Sequence, residues 1–270
     1  VLLAAKSNLS AIALTDHDTI AGIDEARNAA NDLEKKGIKI RIVEGVEISA
    51  DYKGKDIHIL GLLVDTNHKD LITSLDKALK NRDERNEKMA NNLRATGIDI
   101  SLEDLTFNEP DTVITRAHFA RFLFEHGYVK TRNEAFEKYL GENCPYYVAR
   151  EYITPKDAIS LIKQAGGIPV LAHPLLYKLS SNELEELVRY LKDLGLVGIE
   201  TIYSANTGSD EATIRELTNR YDLLMTGGSD YHGANKPNLA LGIGKGNLKI
   251  PYSILTSLDE YKKAHEEVNK

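Results

Sequence analysis

The chain has 270 residues, enough for one α/β barrel or two small domains, and its 42% apolar and 28% charged content suits an ordinary globular protein. Its 34 basic against 41 acidic residues leave a net charge of −7, which argues against broad non-specific binding to duplex nucleic acid while allowing a local anion site. No stretch approaches the roughly 18 apolar residues of a membrane span, and Lys6, Ser7 and Asn8 end the apolar start too early for a signal peptide.

Val1 to Leu9 reads as a helix. The apolar run Ala11, Ile12, Ala13, Leu14 then stops abruptly at Thr15-Asp16-His17-Asp18. Ile20 to Lys36 places Ile23, Ala26, Ala30 and Leu33 at helical spacing, with Asp18 or Thr19 as its cap and Gly37 as its stop. Ile38, Ile40 and Ile42 alternate with Lys39 and Arg41 as a strand. Val46–Ala50 and Asp56–Val64 flank the hairpin-like turn Asp51-Tyr52-Lys53-Gly54-Lys55. With an even loop His58 pairs opposite Glu47 or opposite Ser49, and either register puts imidazole and carboxylate on one face.

The helix from about Leu71 to Leu93 carries the stripe Leu71, Leu75, Ala78/Leu79, Arg82, Arg85/Asn86, Met89 and Leu93. Two arginines beside an inward face either snorkel to solvent, helped by Asp83 and Glu84, or hold phosphate through their paired donors. Thr115-Arg116-Ala117-His118 opens a helix through Phe124, ended by Gly127. Thr131-Arg132-Asn133-Glu134 matches a capping box before a helix to Leu140, and Pro155 suits a first helical position. Residues 66–150 thus read as an all-helical insertion, or cap, in an alternating β/α chain made of 1–65 and 151–270.

From Ile159 there follow a helix to Gly166-Gly167, a strand to His173, and a helix Asn182–Leu194 closed by Gly195. Then come a strand Val197–Ile202 with Glu200, a helix to Arg220, the strand Leu223–Thr226 and a short strand near Leu239–Ile243. This alternation specifies a mostly parallel sheet, open or closed. The single cysteine, Cys144, cannot form an internal disulfide, which points to a reducing, cytoplasmic setting and to a packing role for Cys144.

Polar groups at the C-terminal ends of parallel strands are where α/β enzymes keep their chemistry. His17, His173 and Asp230 follow apolar runs, while Glu47 and His58 interrupt them. For any one of these five a satisfied structural side chain is the ordinary explanation, because a buried imidazole or carboxylate is costly unless paired. Together they would need five separate partners, and one polynuclear metal centre satisfies them all. Imidazole and carboxylate without thiolate suit Zn²⁺, Mn²⁺ or Fe²⁺. Two close metals would generate hydroxide and clamp the attacking and leaving oxygens of a phosphate ester.

The segments A-L-T-D-H-D-T-x-A-G (13–22), G-V-E-I-S (45–49), I-H-I-L-G (57–61), T-R-A-H-F-A (115–120), A-G-G-I-P-V-L-A-H-P (165–174) and G-G-S-D-Y-H-G (227–233) together resemble the PHP (polymerase and histidinol phosphatase) domain phosphoesterases. The likeness spans nearly the whole chain, in order. It is strongest to the subgroup with a helical insertion, which includes 3′,5′-nucleoside bisphosphate phosphatases and a 5′→3′ exoribonuclease acting on short RNA. The resemblance implies a distorted (β/α)7, TIM-like barrel carrying two or three divalent metals, usually Mn²⁺, at its C-terminal face. It implies that Glu47 bridges metals and that His58, His173 and Asp230 ligate them. His17 and His232 then contact a third metal or the scissile phosphate and assist the leaving oxygen. Asp16 and Asp18 orient His17 or cap the helix. Arg82, Arg85, Arg116 and His118 hold substrate phosphate, and Glu200 is a structural carboxylate.

The implied activity is hydrolysis of nucleotide phosphate esters, such as a 3′,5′-bisphosphate or the 5′ end of short single-stranded RNA, without duplex or membrane partners. A histidinol-phosphatase-like enzyme, a non-catalytic phosphoryl-binding module and a purely structural domain are the competing expectations. The family also begins with a strand bearing H-x-H and a Ser-Asp-Gly turn, and neither is in this sequence. A preceding segment of about twenty residues is therefore expected to be absent from the given chain, since a missing central strand would expose a sheet edge.

Overall fold

The computed structural model describes residues 1–107, 112–149 and 151–268, with side chains as far as 265. Residues 108–111 and 150, within the expected helical insertion, and 269–270 at the end of the expected barrel lie outside it. Six strands, β1 (Ala11–Leu14), β2 (Arg41–Tyr52), β3 (Lys55–Leu62), β4 (Ile168–Leu171), β5 (Gly198–Tyr203) and β6 (Leu224–Gly228), form one sheet in consecutive order. The pairs β1–β2, β4–β5 and β5–β6 are parallel, and β3 is antiparallel to both its neighbours. The helices are α1 (Leu2–Lys6), α2 (Ile23–Glu34), α3 (Lys69–Arg94), α4 (Arg116–Glu125), α5 (Arg132–Ala135), α6 (Pro155–Gln164), α7 (Ser181–Asp193), α8 (Gly208–Arg220) and α9 (Ser253–Val268). The fold is mixed α/β. No helix among the described residues is long and apolar enough to cross a membrane.

The chain divides into two compact units, Val1–Thr73 with Ile153–Lys270, and Ser74–Tyr152. In the first, alternate residues of the strands (Val43, Leu60, Leu62, Ile168, Val170) pack with Leu255 and Leu258 of α9. In the second, Met89, Leu93, Ile100, Leu105, Phe119, Leu123 and Leu140 form a separate helical core. Each such fully buried side chain contributes about 1.5–3 kcal/mol of transfer free energy.

Several local expectations change. The alternation at Ile38–Ile42 and the run Val46–Ala50 belong to one 12-residue strand that switches partners midway. Arg41 to Glu44 pair with β1, and Gly45 to Tyr52 pair with β3. Ile38 and Ile40 lie outside the strand, because β1 starts only at Ala11 and offers them no partner. A Cβ on Gly45 would come within 2.8 Å of the Leu14 carbonyl oxygen, so glycine marks a close approach here and not a strand break. The hairpin is tighter than expected, with Lys53-Gly54 alone between the strands.

Helix α2 starts after Gly22 with no side-chain cap, so neither Asp18 nor Thr19 caps it. Half of the expected capping box at Thr131 forms. The Thr131 side chain accepts from Glu134 N, while the Glu134 carboxylate reaches one residue further back to accept from Lys130 N at 2.6 Å. The helix to Leu140 widens to a π turn from Phe136 onward. No strand forms at 239–243, where Ala240 and Gly244 make an isolated bridge and the positive φ of Gly242, Gly244 and Gly246 bends the chain.

Candidate metal centre

Backbone pairing brings His17 beside Glu47. Past the end of β1, Glu47 N donates to Asp16 O at 3.0 Å and Asp18 N donates to Glu47 O at 2.9 Å, a parallel bridge in which His17 faces Glu47. Asp18 fastens this loop. It is fully buried, its φ is +55°, and its Oδ1 accepts from Ser49 N at 3.1 Å and its Oδ2 from Ser49 Oγ at 3.4 Å. In the hairpin His58 pairs with Ser49, the second of the two expected registers, which keeps it on the Glu47 face.

Beyond β4, Ala172 N donates to His58 O at 3.1 Å, and His173 turns with φ +26° while its N–H donates to Glu200 Oε2 on β5 at 2.8 Å. Tyr177 Oη donates to Ala172 O at 2.7 Å and accepts from His58 N at 3.0 Å, tying the two histidine-bearing segments together. Asp230, two residues past β6, has φ +52°. Three site residues thus hold left-handed backbone, a conformation of about 1–3 kcal/mol cost per non-glycine residue that persists only where surroundings enforce it.

The side chains converge on one carboxylate. Glu47 Oε1 lies 2.6 Å from His58 Nδ1 and 2.9 Å from His173 Nε2, and these two nitrogens are 3.1 Å apart. Glu47 Oε2 is 3.7 Å from His17 Nδ1, and one ligand atom each from His17, Glu47 and His58 lie within 4.8 Å of one another. Asp230 joins from the side. Its Oδ2 accepts from Tyr203 Oη at 2.7 Å and pairs with the Lys236 ammonium, its Oδ1 is 3.2 Å from His232 Nδ1, and the Tyr203 ring stands 5.7 Å from that of His173. The His232 and His17 rings are 6.0 Å apart.

Burial raises the Glu47 carboxyl, but the charges of His17 and His58 and the hydrogen bonds of His173 and His58 outweigh it and hold Glu47 well below the usual carboxylate range. Burial lowers His58, yet Glu47 and Asp56 push it up to about 10. Burial drives Glu200 well upward, reinforced by Asp230 and Glu47. Asp16 is raised by burial, against the charge of His232.

This donor set fits a divalent ion. An almost fully buried carboxylate faces three imidazoles, there is no thiolate, and donor atoms about 3 Å apart suit a common ion with bonds of roughly 2.1 Å. His173 Nδ1 is buried without a hydrogen-bond partner, which also marks a polar pocket built for more than side-chain packing. Glu47, His58 and His173 are therefore brought together with His17, while Asp230 and His232 form an adjoining pair.

The remaining expected residues lie in the helical unit. Arg82 and Arg85 are both buried on α3, with Arg85 Nη1 3.5 Å from Met89 Sδ, so they do not snorkel to solvent. Arg116 opens α4 with its guanidinium 5.6 Å from the Tyr147 ring centre. His118 Nδ1 accepts from Thr115 N at 3.0 Å and completes a capping box, a local role that sequence reading did not anticipate. Glu200, Tyr203, Tyr177, Asp56 and Lys236 are further members that sequence reading did not place in the site. Only Glu200, a lone acid in an apolar strand, left a signal.

No family model matches the chain. It is 35% identical over 224 residues to the 5′-3′ exoribonuclease of Haemophilus influenzae, covering 83% of this chain and 80% of that protein. The chain belongs to the PHP family of phosphoesterases. It is also 32% identical over 232 residues to the 3′,5′-nucleoside bisphosphate phosphatase of Chromobacterium violaceum, covering 86% of this chain and 80% of that one. Among solved structures, a protein of Bifidobacterium adolescentis named as a candidate metal-dependent phosphoesterase superposes with a TM-score of 0.81 at 28% identity, over 96% of this chain and 88% of that one. The metal dependence in that neighbour's name agrees with the histidine–carboxylate cluster described above.

Proposed function

We propose that this phosphoesterase hydrolyses phosphate esters of nucleotides, with a 3′,5′-nucleoside bisphosphate or the 5′ end of a short RNA as substrate. The observation that carries the reading is the convergence of His17, His58 and His173 on the Glu47 carboxylate, next to Asp230 and His232. The fold is read as the distorted (β/α)7 PHP barrel, with residues 66–150 as its helical insertion. Glu47, His58, His173 and Asp230 would hold two divalent ions, Mn²⁺ foremost, and His17 and His232 would contact either a third ion or the scissile phosphate. Bound divalent metal supplies an acidified water and charge stabilisation at phosphorus.

The chain's own groups do the rest. His232 or His17 delivers a proton to the leaving oxygen. Arg82, Arg85, Arg116 and His118 hold the substrate phosphate that does not react, a reading supported by the burial of Arg82 and Arg85. Asp16 and Asp18 keep His17 aligned.

With Mn²⁺ the purified full-length protein, its native N-terminus and H-x-H strand included, is expected to release inorganic phosphate from adenosine 3′,5′-bisphosphate, to stop on chelation and to recover on Mn²⁺ addition. Glu47→Gln abolishes turnover. Rapid turnover of histidinol phosphate with none of the bisphosphate would move the enzyme to another substrate class. Nucleotide binding that ignores chelator, without hydrolysis, would make it a binding module.

A further inference from the structure

Both carboxylate oxygens of Asp230 are held by its own neighbours. Its carboxylate is mostly buried, and both oxygens are engaged: Oδ1 by His232 Nδ1 at 3.2 Å, Oδ2 by the Tyr203 hydroxyl at 2.7 Å and by the Lys236 ammonium. These three partners are not equivalent toward a metal. Tyr203 is neutral and can stay. A histidine can lose its proton and remain beside an ion. An ammonium has no lone pair and carries a full positive charge, so it repels a divalent cation that approaches the same carboxylate oxygen and competes with it.

Lys236 is also placed to leave. It follows the short turn Gly233–Asn235, its side chain is 35% exposed, and its flexible four-carbon stem reaches Asp230 from the loop and not from the sheet. We infer that Lys236 is a built-in counter-ion that holds the Asp230 carboxylate in the metal-free protein and competes with the divalent ion for it, so that this lysine sets the affinity of the Asp230 half of the centre. The inference rests on the reading of Asp230 as a metal ligand. The direction of the Asp230 carboxyl agrees with it, since burial would raise it and the charges of Lys236 and His232 hold it below its ordinary value.

The experiment is a Mn²⁺ titration by calorimetry, with thermal unfolding in EDTA and in Mn²⁺, on wild type, Lys236→Gln, Lys236→Arg and Asp230→Asn. Lys236→Gln is expected to tighten Mn²⁺ binding roughly tenfold, since a partly exposed ion pair gives way and a nearby like charge is removed. The same variant is expected to melt below wild type in EDTA, with the gap closing or reversing in Mn²⁺. Lys236→Arg keeps the charge and stays near wild-type affinity. Asp230→Asn binds Mn²⁺ more weakly. Unchanged or weaker Mn²⁺ binding by Lys236→Gln, with Asp230→Asn weakened, would overturn the competition alone. Asp230→Asn binding as wild type does, or no Mn²⁺ bound by wild type, would overturn the site reading and the inference with it.

Discussion

Asp18 offers a sharp test of how the site is positioned, because two separable physical terms meet in one buried side chain. Its carboxylate accepts from Ser49 N and Oγ, and its backbone sits at φ +55°. Asp18→Ala removes a charged acceptor, worth about 1.5–3 kcal/mol, and places alanine in the left-handed region at a further 1–2 kcal/mol or so. The expected loss is about 2.5–5 kcal/mol, or roughly 5–20 °C in melting temperature for a protein of this size. Asp18→Asn keeps an acceptor oxygen and tolerates left-handed backbone, so it is expected to lose only about 1 kcal/mol. Urea unfolding in EDTA measures both. Mn²⁺ binding should weaken in step, since the loop that carries His17 loses its anchor. Equal destabilisation by alanine and asparagine would refute the account, as would an alanine variant as stable as wild type.

Three further outcomes follow from other parts of the chain. Arg85→Ala or Arg116→Ala is expected to raise KM for a nucleoside bisphosphate about tenfold or more while Mn²⁺ affinity holds, and Arg85→Lys should not restore it, because a point charge does not replace a planar fork; an unchanged KM removes these arginines from substrate binding. Arg41 grips Asp259 of α9 through Nη1 at 2.6 Å and Nη2 at 2.8 Å, and that bond, against burial, holds the Asp259 carboxyl below its ordinary 3.8. The pair is partly exposed, so Asp259→Asn is expected to cost only about 1 kcal/mol at neutral pH. A depressed folded pKa stabilises above the unfolded value and ceases to do so as pH falls through the folded one, so the gap between variant and wild type should close below about pH 4 in urea titrations. Gly45→Ala drives a methyl against the Leu14 carbonyl and should lower stability by about 1–3 kcal/mol, read by calorimetry.

Much of this architecture was legible in the sequence because its signals are local. Apolar runs that end in His17, His173 and Asp230 are visible by eye, and the condition under which His58 and Glu47 share a face, an even hairpin loop, is met by the two-residue turn Lys53-Gly54. Where several principles agreed, as at Thr154-Pro155 opening α6, the boundary was right to a residue. The failures have one physical origin: they depend on what lies across space. That β2 runs unbroken through Gly45 follows from its change of partner, and that Asp18 faces Ser49 instead of capping α2 follows from the β1–β2 bridge. Helix α9, whose Leu255 and Leu258 complete the sheet's core, went unread although its spacing was present. Lys236 stands in a Gly-, Asn- and Pro-containing loop that reads as ordinary surface, and Tyr203 as ordinary core. Their bond to Asp230 exists only in three dimensions.

Glu47 and His173, bound through a single oxygen, are separated by 126 positions, and the whole helical unit is threaded between them. A chain leaving the ribosome therefore exposes the β2–β3 hairpin, with its acid and one imidazole, long before β4 and β6 exist to complete the grip. Under the function proposed above, the ligand set for a metal ion is complete only once β4 and β6 have been made.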